Sequence, residues 1–128
     1  RQPQNYAAYV WIPANNVILG GTGVAWGMHV WTADTQSVES RQQWVDTLDE
    51  MAALHPQQVI PGHYLGTPPA GDRAITFTRE YLTDFEQALK EHKDSAGVIK
   101  AMKQRWPGLA EESSLELSAK VNTGEMKW

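Results

Sequence analysis

With 128 residues, 41% of them hydrophobic and 20% charged, the chain has the size of one domain and the composition of a folded, soluble protein. A net charge of −4, with the eleven Lys and Arg residues scattered apart from a mild concentration between Lys90 and Arg105, argues against nucleic acid as a partner. The absence of cysteine excludes a disulfide framework, a thiolate zinc site and a cysteine nucleophile together.

No apolar run approaches the about 18 residues that span a bilayer, and no signal peptide is visible, so no membrane partner is expected. The compartment stays open between cytoplasm and periplasm, because a cysteine-free chain tolerates either redox environment. The first residue is Arg1 rather than methionine, which makes an excised or processed segment the expectation.

Residues 6–12 have the β-branched and aromatic content of a strand. Pro13-Ala14-Asn15-Asn16 is a turn signal, and Val17-Ile18-Leu19 a second short strand, so the chain opens on a β-hairpin. Three glycines within Gly20-Gly21-Thr22-Gly23 suit a loop where backbone passes close to other atoms. Residues 24–31 hold Trp26, Met28, His29 and Trp31, too apolar for a free loop, and are expected to lie irregularly over a pocket or interface.

Asp34 or Thr35 is a candidate N-cap for a first helix. In that helix Val38, Arg41, Val45, Leu48 and Ala52 recur at helical spacing, widened by Trp44, Met51 and Leu54, up to Leu54-His55-Pro56. Residues 57–60 form a short strand, and residues 67–71 a loop.

A second helix is predicted from about Arg73 to Glu91, with Phe77, Tyr81, Leu82, Phe85, Ala88 and Leu89 inward. A third is capped by Ser95, uses Val98, Ile99 and Met102, and stops at Trp106-Pro107-Gly108. Ser113 with Glu116 matches a capping box for a last helix reaching about Val121, with Gly124 as its stop. The order is strand, strand, helix, strand, then three helices: an α/β (α+β) chain with few strands and about four helices. It reads as one unit over residues 1–128, part of a layered sandwich that is short of strands.

The most informative stretch is Val59-Ile60-Pro61-Gly62-His63-Tyr64. Apolar residues seat a strand, Pro61-Gly62 turns the chain, and His63 emerges at the strand end, rigid behind and open in front, as a metal ligand requires. A strand-end histidine with a purely structural role fits the same residues. Tyr64 beside it, and His29, can line a pocket or simply fill a wall; His55 and His92 read as helix-end residues.

The hairpin with Tyr9-Val10-Trp11-Ile12-Pro13, Val17-Ile18-Leu19-Gly20-Gly21, the long helix and Val59-Ile60-Pro61-Gly62-His63 together resemble the C-terminal half of the metallo-β-lactamase-fold hydrolases. The closing residues 112–117 and 124–128 also look like the tail of bacterial members. The resemblance implies half of an αββα sandwich. In the complete domain it implies one or two zinc ions (iron or manganese in some branches), which generate a hydroxide that attacks a small-molecule ester, amide, thioester or phosphoester.

By the same resemblance, His63 matches the family's last metal-ligand histidine, and Thr22 falls where many members place a metal-bridging aspartate. A neutral hydroxyl does not replace a bridging anion. The family's H-x-H-x-D-H cluster belongs to the N-terminal half. The four histidines here, His29, His55, His63 and His92, do not form it. The expectation is therefore a fragment of a zinc hydrolase, inactive alone and not binding zinc tightly, whose partner is the missing N-terminal half. The alternative is a stand-alone, non-catalytic module that pairs with a second copy, as a homodimer or by swapping. Six tryptophans make uncovered surface costly in either case.

Overall fold

A computed structural model describes residues 9–20, 23–33, 35–64, 66–67 and 69–127. Among them are five short strands and four helices: β1 (Val10–Ile12), β2 (Val17–Leu19), β3 (Ala25–Trp26), α1 (Val38–Ala53), β4 (Gln58–Ile60), β5 (His63–Tyr64), α2 (Arg73–Glu91), α3 (Ser95–Arg105) and α4 (Glu112–Asn122). The mixed α/β class expected from the sequence is what the chain adopts.

β1 and β2 form the predicted hairpin, antiparallel, with Val10 opposite Leu19 and Ile12 opposite Val17. Asn16 takes a left-handed conformation in the turn, φ 55°, which asparagine tolerates better than most residues. β4 adds to the other side of β2 in parallel, so the sheet order is β1-β2-β4. β3 and β5 form a second, parallel pair, with Ala25 opposite His63 and Trp26 opposite Tyr64. These two strands were not anticipated. Residues 24–31 are less irregular than their composition suggests, because Val24, Ala25, His29 and Val30 are all buried.

Alternation decides which face of the sheet is covered. Ile18 and Val59, at the centres of β2 and β4, are fully buried among Trp44, Leu48 and Met51 of α1 and Ile75 of α2. Their neighbours point the other way: Val10 is 52% exposed, Leu19 37% and Ile60 39%. The pairing register aligns these three side by side across β1, β2 and β4. The helices therefore stack on one face, and the opposite face presents an uncharged apolar row.

α2 has the expected bounds and buries Phe77, Tyr81, Leu82, Phe85 and Ala88 with Ala74, Ile75 and Thr78. The other helix starts need correction. α1 is capped by Ser37, whose side chain accepts the Ser40 amide at 3.0 Å. Asp34 lies outside the described residues, and Thr35 is a buried turn residue donating to the Thr32 carbonyl. Val38 is 60% exposed, because the helix begins just before it and its first turn overhangs the core.

Asp94, not Ser95, caps α3 by accepting the Gly97 amide at 3.0 Å. The Ser113–Glu116 capping box does not form. α4 already begins at Glu112, behind a left-handed Glu111 at φ 64°, so Ser113 falls inside the helix. Gly124 does end the last helix, at φ 86°.

None of the described tryptophans is fully exposed. Trp44 is 2% exposed, and Trp11, Trp26 and Trp106 pack partly buried against the core. The sheet face away from the helices exposes the aliphatic side chains of Val10, Leu19 and Ile60.

Candidate functional site

The end of β4 is where the sequence places its chemistry. β2 and β4 run in parallel, so the loop after β2 and the turn after β4 leave the sheet side by side. Backbone bonds clamp the two exits together: the Gly20 amide donates to the Ile60 carbonyl at 2.9 Å, and the Gly62 amide to the Val24 carbonyl at 3.1 Å. Past this crossing the strands resume as β3 and β5, and His63 is the first residue of β5.

Gly20 is needed at the crossing. A Cβ there would sit 2.4 Å from Val24 Cγ2 and 2.7 Å from Val24 Cβ, inside the hard contact distance. The close approach of Val24 to Gly20 thus depends on hydrogen at that position, as the glycine run suggests. Pro61 is buried, whereas Gly62, His63 and Tyr64 are exposed. The strand-end presentation expected for His63, anchored behind and open in front, is what the backbone provides.

β3 is held from the opposite side by Thr78 of α2. Its Oγ1 accepts the Ala25 amide at 2.9 Å and lies 3.0 Å from the Ala25 carbonyl and 2.9 Å from the Ala74 carbonyl, to either of which its own hydrogen can go. This fully buried hydroxyl supplies the edge bonding that a two-residue strand otherwise lacks. Thr78 sits on the apolar stripe of α2, and a threonine there is a signal for such a bond.

Of the other candidates, Tyr64 is 46% exposed beside His63, opposite Trp26. Thr22 lies outside the described residues. His29 is 2% exposed, with Nδ1 2.9 Å from Tyr81 Oη and its ring edge-on to the tyrosine at 5.7 Å between centroids. It belongs to an aromatic cluster in which Tyr81 meets Trp106 at 5.8 Å and Phe77 meets Trp26 and Trp106 at 5.3 and 5.2 Å. Burial pushes the His29 imidazole below its ordinary value, with Glu112 opposing and Lys103 adding to the shift. The Tyr81 phenol is pushed well up by burial, against a backbone hydrogen bond from Val30. His29 is thus a neutral, buried hydrogen-bonding group, not part of an open pocket wall. His55 is exposed in a left-handed turn after α1, φ 50°, and His92 caps the end of α2.

Among the described residues, no three His, Asp or Glu side chains come together as a metal-holding group. The structure brings Gly20 and Val24 to the edge where His63 stands, and among the described residues His29, His55 and His92 do not join His63 as a ligand set. Neither a scan against models of protein families nor a search of curated proteins returns a match to this chain.

Proposed function

We propose that this chain is the C-terminal portion of a zinc-dependent hydrolase with the metallo-β-lactamase fold, in which His63 supplies one metal ligand and the remaining ligands come from an N-terminal half. The observation that carries this reading is the placement of His63: exposed, just past the C-terminal end of one of two clamped parallel strands, where Gly20 leaves the other. Ligand sites in parallel sheets gather at that edge, because loops diverge there and leave a crevice.

A catalytic site uses about three protein ligands and a water, and among the described residues no such group gathers around the exposed His63 imidazole. No catalytic step is assigned to this chain. Its own contribution is to hold one imidazole rigidly, through Gly20, Val24 and Thr78, at the rim where a second half would meet it.

The open sheet face supports the same reading. Val10, Leu19 and Ile60 form an uncharged row on the face away from the helices, as a layer awaiting a second sheet would. The second reading, a stand-alone module pairing with another copy, draws on the same row, and its size favours the first. Three strands of three residues cover only about 150 Å², at about 4.8 Å between strands and about 3.3 Å per residue. A stable contact between separate chains buries about 800 Å² per partner. A patch this small is better covered by sheet from the same polypeptide, where association costs no free translational entropy.

Zinc content tests the proposal. This chain alone, dialysed against chelator, is expected to hold far less than one zinc per molecule. A longer chain carrying an upstream H-x-H-x-D-H segment is expected to retain it, with affinity falling about 10-fold or more on His63→Ala. Stoichiometric, chelator-resistant zinc in the short chain would refute the shared site, as would full zinc retention in the extended His63→Ala variant.

A further inference from the structure

Residues 27–33 form a strap from β3 toward α1, and its bonds converge on one buried histidine. The His29 amide donates to the Ala110 carbonyl at 2.9 Å, the Ala110 amide returns to Gly27 at 3.4 Å, and the Thr32 amide reaches Ser118 Oγ at 2.9 Å. The strap is thereby tied to the turn before α4, where Glu111 holds a left-handed backbone. For a residue with a side chain that conformation costs about 1 kcal/mol, so the turn is a joint poised to relax.

Beneath the strap, His29 Nδ1 lies 2.9 Å from Tyr81 Oη at 2% exposure. The phenol can donate its hydrogen to Nδ1, which leaves the neutral imidazole with its own proton on Nε2. The ionisable groups that face it are Tyr81 from α2, Lys103 from α3 and Glu112 from α4, the last two paired with each other at 3.8 Å.

We propose that His29 is an acid-operated latch: neutral, it pins the strap 27–33 and the turn 109–112 against α2, and protonated, it lets them open. Protonation converts Nδ1 from acceptor to donor. Tyr81 Oη would then have to accept from Nδ1, and the phenol hydrogen would have to turn to another acceptor. A cation would also sit in a site almost closed to water. The nearest relief is outward, toward Glu112, in competition with Lys103.

The direction in pH follows. The folded state holds this imidazole below its ordinary value, so the latch contributes fully above about pH 6.5 and is lost as pH falls toward the lowered folded value. The latch holds whether or not the chain is part of a hydrolase, because it involves neither His63 nor a metal.

Amide-resolved hydrogen exchange on the full chain, corrected for intrinsic rates and paired with NMR titration of the His29 ring, tests it. Between about pH 7.5 and about pH 5, the amides of His29, Val30, Thr32 and Ala110 are expected to exchange at least about tenfold faster, in step with the His29 titration. Those of Ile18 and Val59 should hold. His29→Gln is expected to abolish the step at whatever level of protection it shows. Tyr81→Phe, which removes the hydrogen bond that favours the neutral ring, should move the step to higher pH. Strap protection that stays constant while His29 titrates would overturn the proposal. So would an unchanged step in His29→Gln, which would assign it to a carboxylate such as Glu112.

Discussion

Replacing Arg41 should be among the most damaging single changes to the fold. Its side chain is 6% exposed and binds three parts of the chain at once. Nε and Nη2 donate to the two carboxylate oxygens of Glu86 on α2 at 2.7 and 3.1 Å; Nη1 donates to the Thr35 carbonyl at 2.7 Å and to Asn122 Oδ1 on α4. Asn122 in turn donates to the carbonyls of Thr32 at 3.1 Å and Ser118 at 2.9 Å. Arg41→Ala leaves the Glu86 carboxylate, 22% exposed, without its cation, and takes a donor from two further oxygens. Breaking a buried pair from one side costs about 3–5 kcal/mol, and the access of Glu86 to water places this case near the lower end. Arg41→Lys keeps the charge but not the planar fork, and should cost about 1–2 kcal/mol. Urea unfolding followed by tryptophan fluorescence gives both values, and a cycle with Glu86→Gln should show a coupling of about 2 kcal/mol. A loss below about 1 kcal/mol for Arg41→Ala, or no coupling to Glu86, would refute the claim that this residue joins α1, α2 and α4.

Gly20→Ala drives a methyl into Val24 at the strand crossing and should cost about 1–3 kcal/mol, read as a lowered urea midpoint with unchanged slope. Trp44→Phe removes the indole N–H that donates to the Gly23 carbonyl at 2.7 Å in the same loop. The loss should be about 1–3 kcal/mol, and a fully neutral result would show that water replaces the indole there. Glu125 accepts the Ser95 amide at 2.6 Å and the Ser95 hydroxyl at 2.8 Å, and those bonds, the amide first, hold its carboxyl below the ordinary range. Its contribution is present above the unfolded carboxyl range and lost as pH falls through the lowered value, so Glu125→Gln should flatten the acid limb of a stability-versus-pH curve. An unchanged limb would show that this carboxylate does not stabilise the start of α3.

Long-range pairing is where the sequence and the fold part company. The α2 stripe from Phe77 to Ala88 is legible because its period and its polar ends agree, and the helix forms over the expected span. The hairpin at Pro13–Asn16 is legible from turn chemistry alone. β3 and β5 were missed because two-residue strands carry no periodicity; they exist through the Val24 carbonyl, Thr78 and each other. The helix starts slipped for a related reason. Asp34, Thr35, Ser37, Asp94, Ser95 and Ser113 are all competent caps, and tertiary packing selects among them. Arg41 lay in plain sight on an apolar stripe. A guanidinium in that position demands a buried anion, yet nothing local says that the anion is Glu86, some 45 residues on.

The apolar row lies on the β1-β2-β4 sheet, and the exposed His63 opens β5 of the adjoining two-stranded sheet. Helices cover the face that holds Ile18 and Val59, while the row of Val10, Leu19 and Ile60 faces away from them. His63 stands just past the end of β4, one turn beyond Ile60. A second sheet laid on that row would cover the apolar residues, and the loops at its rim would come within reach of the exposed imidazole. On the proposed reading, one partner would do both. Two copies of this chain would bury the row but bring only two copies of His63 to the edge, still short of three protein ligands. On the proposed reading, the single exposed imidazole and the small area of the row both favour a covering half that carries ligands of its own over a second copy of this chain.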